Sequence, residues 1–165
     1  MIKKPDDNII SLLKLGNVKC LAEGLGYYYS FQGVVVRGNK IGRELGFPTA
    51  NIEVNNDTII PANGVYAAMG KFSENWYEAM VNIGVRPTLG LKDITIEAHL
   101  FGVNQDLYGK EISLHFIEKI RDEIKFSNLD NLKSQLIKDR ESASIILKNI
   151  KLRLNPKDNH CFYYK

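Results

Sequence analysis

Asp93-Ile94-Thr95-Ile96-Glu97-Ala98-His99-Leu100-Phe101 alternates apolar and polar residues. On an extended chain Ile94, Ile96, Ala98 and Leu100 project to one side, and Asp93, Thr95, Glu97 and His99 to the other. A period of two predicts a β-strand with one face in a core and one polar face. Outward from it, residues 31–37, 64–71, 76–83 and 111–120 carry the same bias toward β-branched and aromatic side chains. Glycines, prolines and asparagines separate them, and one long connection runs from Gly38 to Ala62. Short strands without intervening helices predict an antiparallel barrel or sandwich.

The flanks read differently. Over residues 6–24, Ile9, Ile10, Leu12, Leu13, Val18 and Leu21 are apolar and Gly16-Asn17 interrupts them, which predicts two short helices. Near the other end Ser127 is a candidate N-cap and Asp130 an acidic first-turn residue. Leu129, Leu132, Leu136, Ala143, Ile146 and Ile150 then recur at helical spacing, predicting one long amphipathic helix over 128–149 that packs on the barrel. The expected organisation is a helical extension (1–30), a central domain (31–150, its barrel 31–126), and a tail (151–165) with Pro156 and a Cys-Phe-Tyr-Tyr cluster. No internal repeat or low-complexity tract occurs.

A chain of 165 residues, 44% hydrophobic and 25% charged, has the composition of one globular domain. Its two cysteines, Cys20 and Cys161, stand far apart and form no CxxC, so two unpaired thiols in a reducing cytoplasm are expected. No apolar run reaches the length of a membrane span, and the start lacks the apolar core of a signal peptide. The net charge of +3 arises from 22 basic residues interspersed among 19 acidic ones. A small nucleic-acid-binding barrel would instead need a basic stripe interleaved with exposed aromatics.

The chemistry concentrates between Gly38 and Asn51. Gly38, Gly42 and Gly46 recur every four residues, with Lys40 and Arg43 between them. Glycines let a ligand approach backbone amides, and the bases can meet phosphate charge. The spacing matches neither GxxxxGK[ST] nor GxGxxG, so an ordinary surface loop is the competing reading. Pro48 pushes Phe47 toward an extended conformation. If the chain stays extended, Thr49 and Asn51 share one side and Ala50 takes the other. Two neutral oxygen donors side by side suit magnesium when phosphates supply the remaining ligands, although a Thr or Asx turn would use the same residues. Glu97 is either an exposed strand carboxylate or a general base held on a rigid element. His99 is expected as its hydrogen-bonded neighbour, since the three histidines have no metal-ligand spacing. Residues 82–88 (Asn-Ile-Gly-Val-Arg-Pro-Thr) read as a turn and 106–109 (Asp-Leu-Tyr-Gly) as a hairpin tip. Arg121 precedes Asp122-Glu123, with Phe126 following.

Taken in order, GxxxGRxLGFPTANI from Gly38, PANGVYA at 61–67, NIGVRPT at 82–88, IEAHLF at 96–101, DLYGKEI at 106–112 and IRDEIKF at 120–126 resemble the riboflavin kinase family. More closely, they resemble the C-terminal kinase module of bacterial bifunctional riboflavin kinase/FAD synthetases. The resemblance runs from about Phe31 to Leu147. It implies a six-stranded antiparallel Greek-key barrel with a long C-terminal helix and a short helical N-terminal extension. It also implies transfer of the ATP γ-phosphoryl group to the 5′-hydroxyl of riboflavin, giving FMN and ADP. On this basis Glu97 is the expected catalytic base, and Thr49 and Asn51 the expected magnesium ligands. Gly38, Lys40, Gly42, Arg43, Pro48, Thr49 and Asn51 become nucleotide contacts, and Asn82, Tyr108, Arg121 and Phe126 flavin contacts. The 106–109 loop and the segment around Arg121 are expected to form a flap on the flavin.

One departure is that the family's linker reads like LLGRPY, whereas Gly24-Leu25-Gly26-Tyr27-Tyr28-Tyr29 lacks the Arg-Pro. No HxGH-type motif occurs, so no FAD synthesis is expected from this chain alone. An adenylyltransferase module or a separate FAD synthetase would be its partner, with neither nucleic acid nor membrane involved. A non-catalytic flavin or nucleotide sensor on the same barrel is the alternative. It would tolerate loss of Glu97 or of the Thr49/Asn51 pair, and all three are present.

Overall fold

A computed structural model describes residues 7–38, 41–88, 91–148 and 150. Lys40 and the tail with Cys161 lie outside the described residues. Six strands, β1 (Ser30–Val36), β2 (Ala50–Glu53), β3 (Gly64–Phe72), β4 (Asn75–Thr88), β5 (Leu91–Leu100) and β6 (Glu111–Arg121), close into an antiparallel barrel. Around the barrel the order is β1-β2-β5-β4-β3-β6. Consecutive β3, β4 and β5 form a meander, and β6 returns beside β3, which is the Greek-key order.

Alternation along the strands builds two cores. Phe31, Tyr66, Phe116, Val81, Ile83 and Ile96 fill the interior, with the Tyr66 and Phe116 rings edge to face at 5.5 Å. Helices α1 (Asp7–Leu15) and α2 (Val18–Leu25) add Leu13, Val18 and Leu21 to that core. Gly16, at a left-handed φ of 74°, supplies the break between them. The second core lies outside the barrel. There Ala67, Met69, Met80 and Ile117 meet Ala143 and Leu147 of α4 (Leu129–Lys148), which lies against β3, β4 and β6.

Several local expectations change. The long connection after Gly38 contains a four-residue helix, α3 (Ile41–Glu44), and the sixth strand, β2. Residues 82–88 are no turn. They form the second half of β4, paired with β5 from Asn82↔Glu97 to Thr88↔Leu91. Pro87 is accommodated one step from the end of that ladder, where its missing N–H matters least. Residues 106–109 are not a hairpin tip, because β5 and β6 are not neighbours. They belong to a crossover, tied to β1 by Gly109 N–H to Val35 O and Val35 N–H to Lys110 O, both 2.9 Å.

The cap of α4 is Asn128 rather than Ser127, with its Oδ1 accepting from Asn131 N–H at 2.8 Å. Ser127 Oγ accepts from the Asn131 side chain instead. Leu129 is 54% exposed, and the buried positions of α4 are Asp139, Ala143 and Leu147. Ile94 is also exposed, whereas His99, expected on the polar face of β5, is only 6% exposed. At His99 that face of the strand is thus covered rather than open to water.

Candidate active site

Strand register carries the site. Asn51 on β2 pairs with Glu97 on β5, Glu97 with Asn82 on β4, Asn82 with Val65 on β3, and Val65 with Arg121 on β6. Directly opposed residues project to the same face of a sheet. Their neighbours Ile52, Ala50, Ile96, Ala98, Val81 and Ile83 belong to the interior core, so this row faces outward. A ladder irregularity between Val65 and Tyr66 adjusts the register that brings Arg121 into line.

Above the row is a cavity of about 260 Å³ whose lining includes Asn51, Asn82, Glu97, Arg121 and Asp139. Met80, Leu132, Leu136 and Phe126 contribute apolar surface to it. A second cavity, of about 170 Å³, is lined by Arg43, Pro48, Thr49, Gln105, Asp106 and Tyr108 among others. Thr49 lines both. The guanidinium of Arg37 stands 6.0 Å from the centre of the Tyr108 ring.

Two glycines of the glycine-rich segment, Gly38 and Gly42, lie directly against residues 47–51. A Cβ at Gly38 would overlap the Asn51 side-chain amide, and one at Gly42 would overlap Phe47 O and lie 3.3 Å from Thr49 Oγ1. Only glycine allows that approach. Ala50 and Ile52 are buried while Thr49 and Asn51 are half-buried, the alternation expected from an extended chain after Pro48.

On the far side of the larger cavity Arg121 makes a bidentate pair with Asp139. Its Nε donates to Oδ1 at 2.9 Å and its Nη2 to Oδ2 at 2.7 Å. Gln135 Nε2 also donates to Asp139 Oδ1 at 2.9 Å, and Arg121 Nη1 donates to Asp122 O at 2.9 Å. The same guanidinium lies 5.8 Å from the Phe126 ring centre. Asp139 is 1% exposed. Such a carboxylate requires this many partners, because desolvating an unpaired charge is costly. Burial holds the His99 imidazole below its ordinary pKa of 6.5; its bond to Pro48 O opposes this, and the charge of Arg140 adds to it.

The sequence candidates therefore divide. Gly42, Thr49, Asn51, Asn82, Glu97, Arg121 and Phe126 gather at the larger cavity, and Arg43, Pro48, Thr49 and Tyr108 at the smaller. Tyr108 is not brought together with Arg121 and Phe126. Gly38 adjoins Asn51, and Lys40 lies outside the described residues. Asp139, Gln135 and Arg37 escaped the sequence reading. For Asp139 a signal existed, since an acidic residue stands between Leu136 and Ala143 at the spacing of the apolar stripe. Chemically, a carboxylate stands opposite one of two neutral oxygen donors, beside two cavities that share Thr49, one with substantial apolar lining. Among the described residues no cluster of three His, Cys, Asp or Glu side chains could hold a metal. No helix among them is long and apolar enough to cross a membrane.

A family model described as flavokinase, riboflavin kinase, matches residues 25–147. A bifunctional riboflavin kinase/FMN adenylyltransferase of Bacillus subtilis is 37% identical over 146 residues, covering 87% of this chain and 46% of the relative. The chain thus spans less than half the length of such curated relatives. Among solved structures, one from Streptococcus pneumoniae named a macrolide-efflux protein superposes with a TM-score of 0.80 at 34% identity, covering 84% of this chain and 46% of that one. The riboflavin kinase of Trypanosoma brucei superposes with a TM-score of 0.56 at 22% identity, over 76% of this chain and 81% of that one, and shares the fold. With the matched model covering the barrel, the cavities and nearly all of α4, the chain belongs to the riboflavin kinase family.

Proposed function

We propose that this module transfers the γ-phosphoryl group of ATP to the 5′-hydroxyl of riboflavin, giving FMN and ADP. The observation that carries this reading is the register that sets Glu97 opposite Asn51, beside a threonine shared by two cavities. The larger cavity, with Met80, Leu132, Leu136 and Phe126, suits a flat, largely apolar ring system. The smaller, with Arg43 and Pro48 in its wall, suits the nucleotide. In this reading Tyr108 belongs to the nucleotide side and Arg121, Phe126 and Asn82 to the flavin side. Thr49 then marks the point where the phosphoryl group passes from one substrate to the other.

Phosphoryl transfer depends on positioning and charge neutralisation more than on covalent help from protein. A primary hydroxyl is a weak nucleophile, and Glu97 accepts its proton as the O–P bond forms. The short β2–β5 ladder holds Glu97 against the phosphate-binding strand. The hydroxyl and amide oxygens of Thr49 and Asn51 are hard donors that fit magnesium. When bound, that ion would neutralise charge on the phosphate oxygens. Arg121, locked by Asp139, keeps one wall of the flavin cavity in place.

The test is incubation of purified protein with riboflavin and Mg-ATP, followed by chromatography. FMN and ADP in equal amounts are expected, with no FAD, and riboflavin binding without turnover would favour a sensor. FAD and pyrophosphate from this chain alone would reveal a second centre. An adenylyltransferase module of the kind named in the relatives is the proposed consumer of the FMN. The exposed thiol of Cys20 fits a reducing, cytoplasmic setting.

A further inference from the structure

We propose that His99 is a positioning residue for phosphoryl transfer. Its ring continues the β2–β5 connection where proline ends the backbone ladder, and so fixes the segment entering Thr49 against the strand that carries Glu97. This rests on the reading of the site as a riboflavin kinase centre.

The β2–β5 ladder has two paired positions, Ala50↔Ala98 and Asn51↔Glu97. One further step would set His99 opposite Thr49. The backbone does not take that step, because β2 starts at Ala50, and the proline at 48 has no N–H to offer. In its place Nδ1 of His99 lies 2.7 Å from the carbonyl oxygen of Pro48. A carbonyl only accepts, so Nδ1 carries the proton and donates. Phe47 packs edge-on to the ring at 5.5 Å and 62°, and Phe101 lies tilted against it at 5.5 Å. With 6% exposure the imidazole has little room to turn. His99 is two residues beyond Glu97 on the same side of β5. A donor held this firmly couples the carboxylate's strand to the residue preceding Thr49, which lines both cavities. A histidine that merely filled space would have no need of a particular ring nitrogen.

That difference provides the test. The amide nitrogen of His99→Asn falls near the position of Nδ1, whereas that of His99→Gln reaches toward the position of Nε2. FMN formation is expected to stay near the wild-type rate in His99→Asn. In His99→Gln kcat should fall by about 100-fold, the scale of an ångström-sized misplacement at a reacting centre. KM for riboflavin and the melting temperature should be alike in the two variants. Equal activity in the two variants, whether retained or lost, overturns the role. A second measurement needs no variant. The ¹⁵N imidazole spectrum of the unmodified protein should show His99 protonated on Nδ1, and an Nε2–H tautomer would also overturn the proposal. Wild-type protein assayed alongside separates the two levels. No FMN from it refutes the kinase reading and the positioning role with it. FMN from wild type with no Asn–Gln difference refutes the role of His99 alone.

Discussion

Replacing Asp139 with alanine removes the acceptor that ties the end of β6 to α4. Asp139 is 1% exposed, and the Arg121 side chain 16%, so both ions are largely out of water. Their two bonds, 2.7 and 2.9 Å long, have the fork geometry that makes arginine–carboxylate pairs strong. Deleting one member of a buried pair costs about 3–5 kcal/mol, mostly because the other charge stays behind uncompensated. Arg121 retains its bond to Asp122 O and some contact with water, so the lower end, about 3 kcal/mol, is expected. For a domain of this size that lowers the melting temperature by roughly 6–12 °C. Thermal melts followed by circular dichroism measure it, and riboflavin binding should weaken as Phe126 and the α4 wall loosen. Asp139→Leu combined with Arg121→Met supplies the control. With both charges gone the site needs no compensation, and most of the stability should return. A melting temperature within about 2 °C of wild type for Asp139→Ala would refute the reasoning. So would a double variant no more stable than the single one.

Glu97→Gln keeps the shape and hydrogen bonding of the side chain but cannot take a proton. FMN formation should drop by about 10²–10⁴-fold with nucleotide binding nearly intact, and a wild-type kcat would remove Glu97 from the mechanism. Thr49→Val and Asn51→Leu each delete one oxygen from the proposed magnesium face. Titrating magnesium at saturating ATP should show a raised requirement in both, whereas unchanged curves would make the pair a turn motif only. Gly38→Ala places a methyl group where the Asn51 amide now lies. It should weaken Mg-ATP binding more than riboflavin binding, as isothermal titration would show, and equal loss of both would contradict the placing of Asn51 on the magnesium face. Because burial holds the folded-state pKa of His99 below 6.5, the unfolded chain takes up the proton first as pH falls. The resulting stability is complete above 6.5 and is lost below it, down through the folded-state value. Melting temperatures of wild type and His99→Asn should therefore converge with acidity, and parallel curves would refute the assignment.

Much of this protein was legible before any fold was known, because strands and helices write their period into neighbouring residues. The alternation at 93–101, the break at Gly16 and the apolar stripe of α4 are all local patterns. The order of six motifs also pointed to the family. Strand β2 was not legible from pattern, since its four residues follow Pro48 and a glycine-rich loop and are too few to show a period. Residues 82–88 looked like a turn because glycine and proline usually break strands, yet pairing with β5 carries β4 through them. Asp139 falls at the spacing of the apolar stripe of α4, yet nothing local names its partner. Its burial is decided by Arg121, eighteen residues earlier, and by the barrel beneath. Residue types and spacing thus determined which elements form and which side chains could do chemistry. Strand pairing alone decided that Asn51, Glu97, Asn82 and Arg121 stand in one row, because cross-strand register joins residues whose separation along the chain leaves no local pattern.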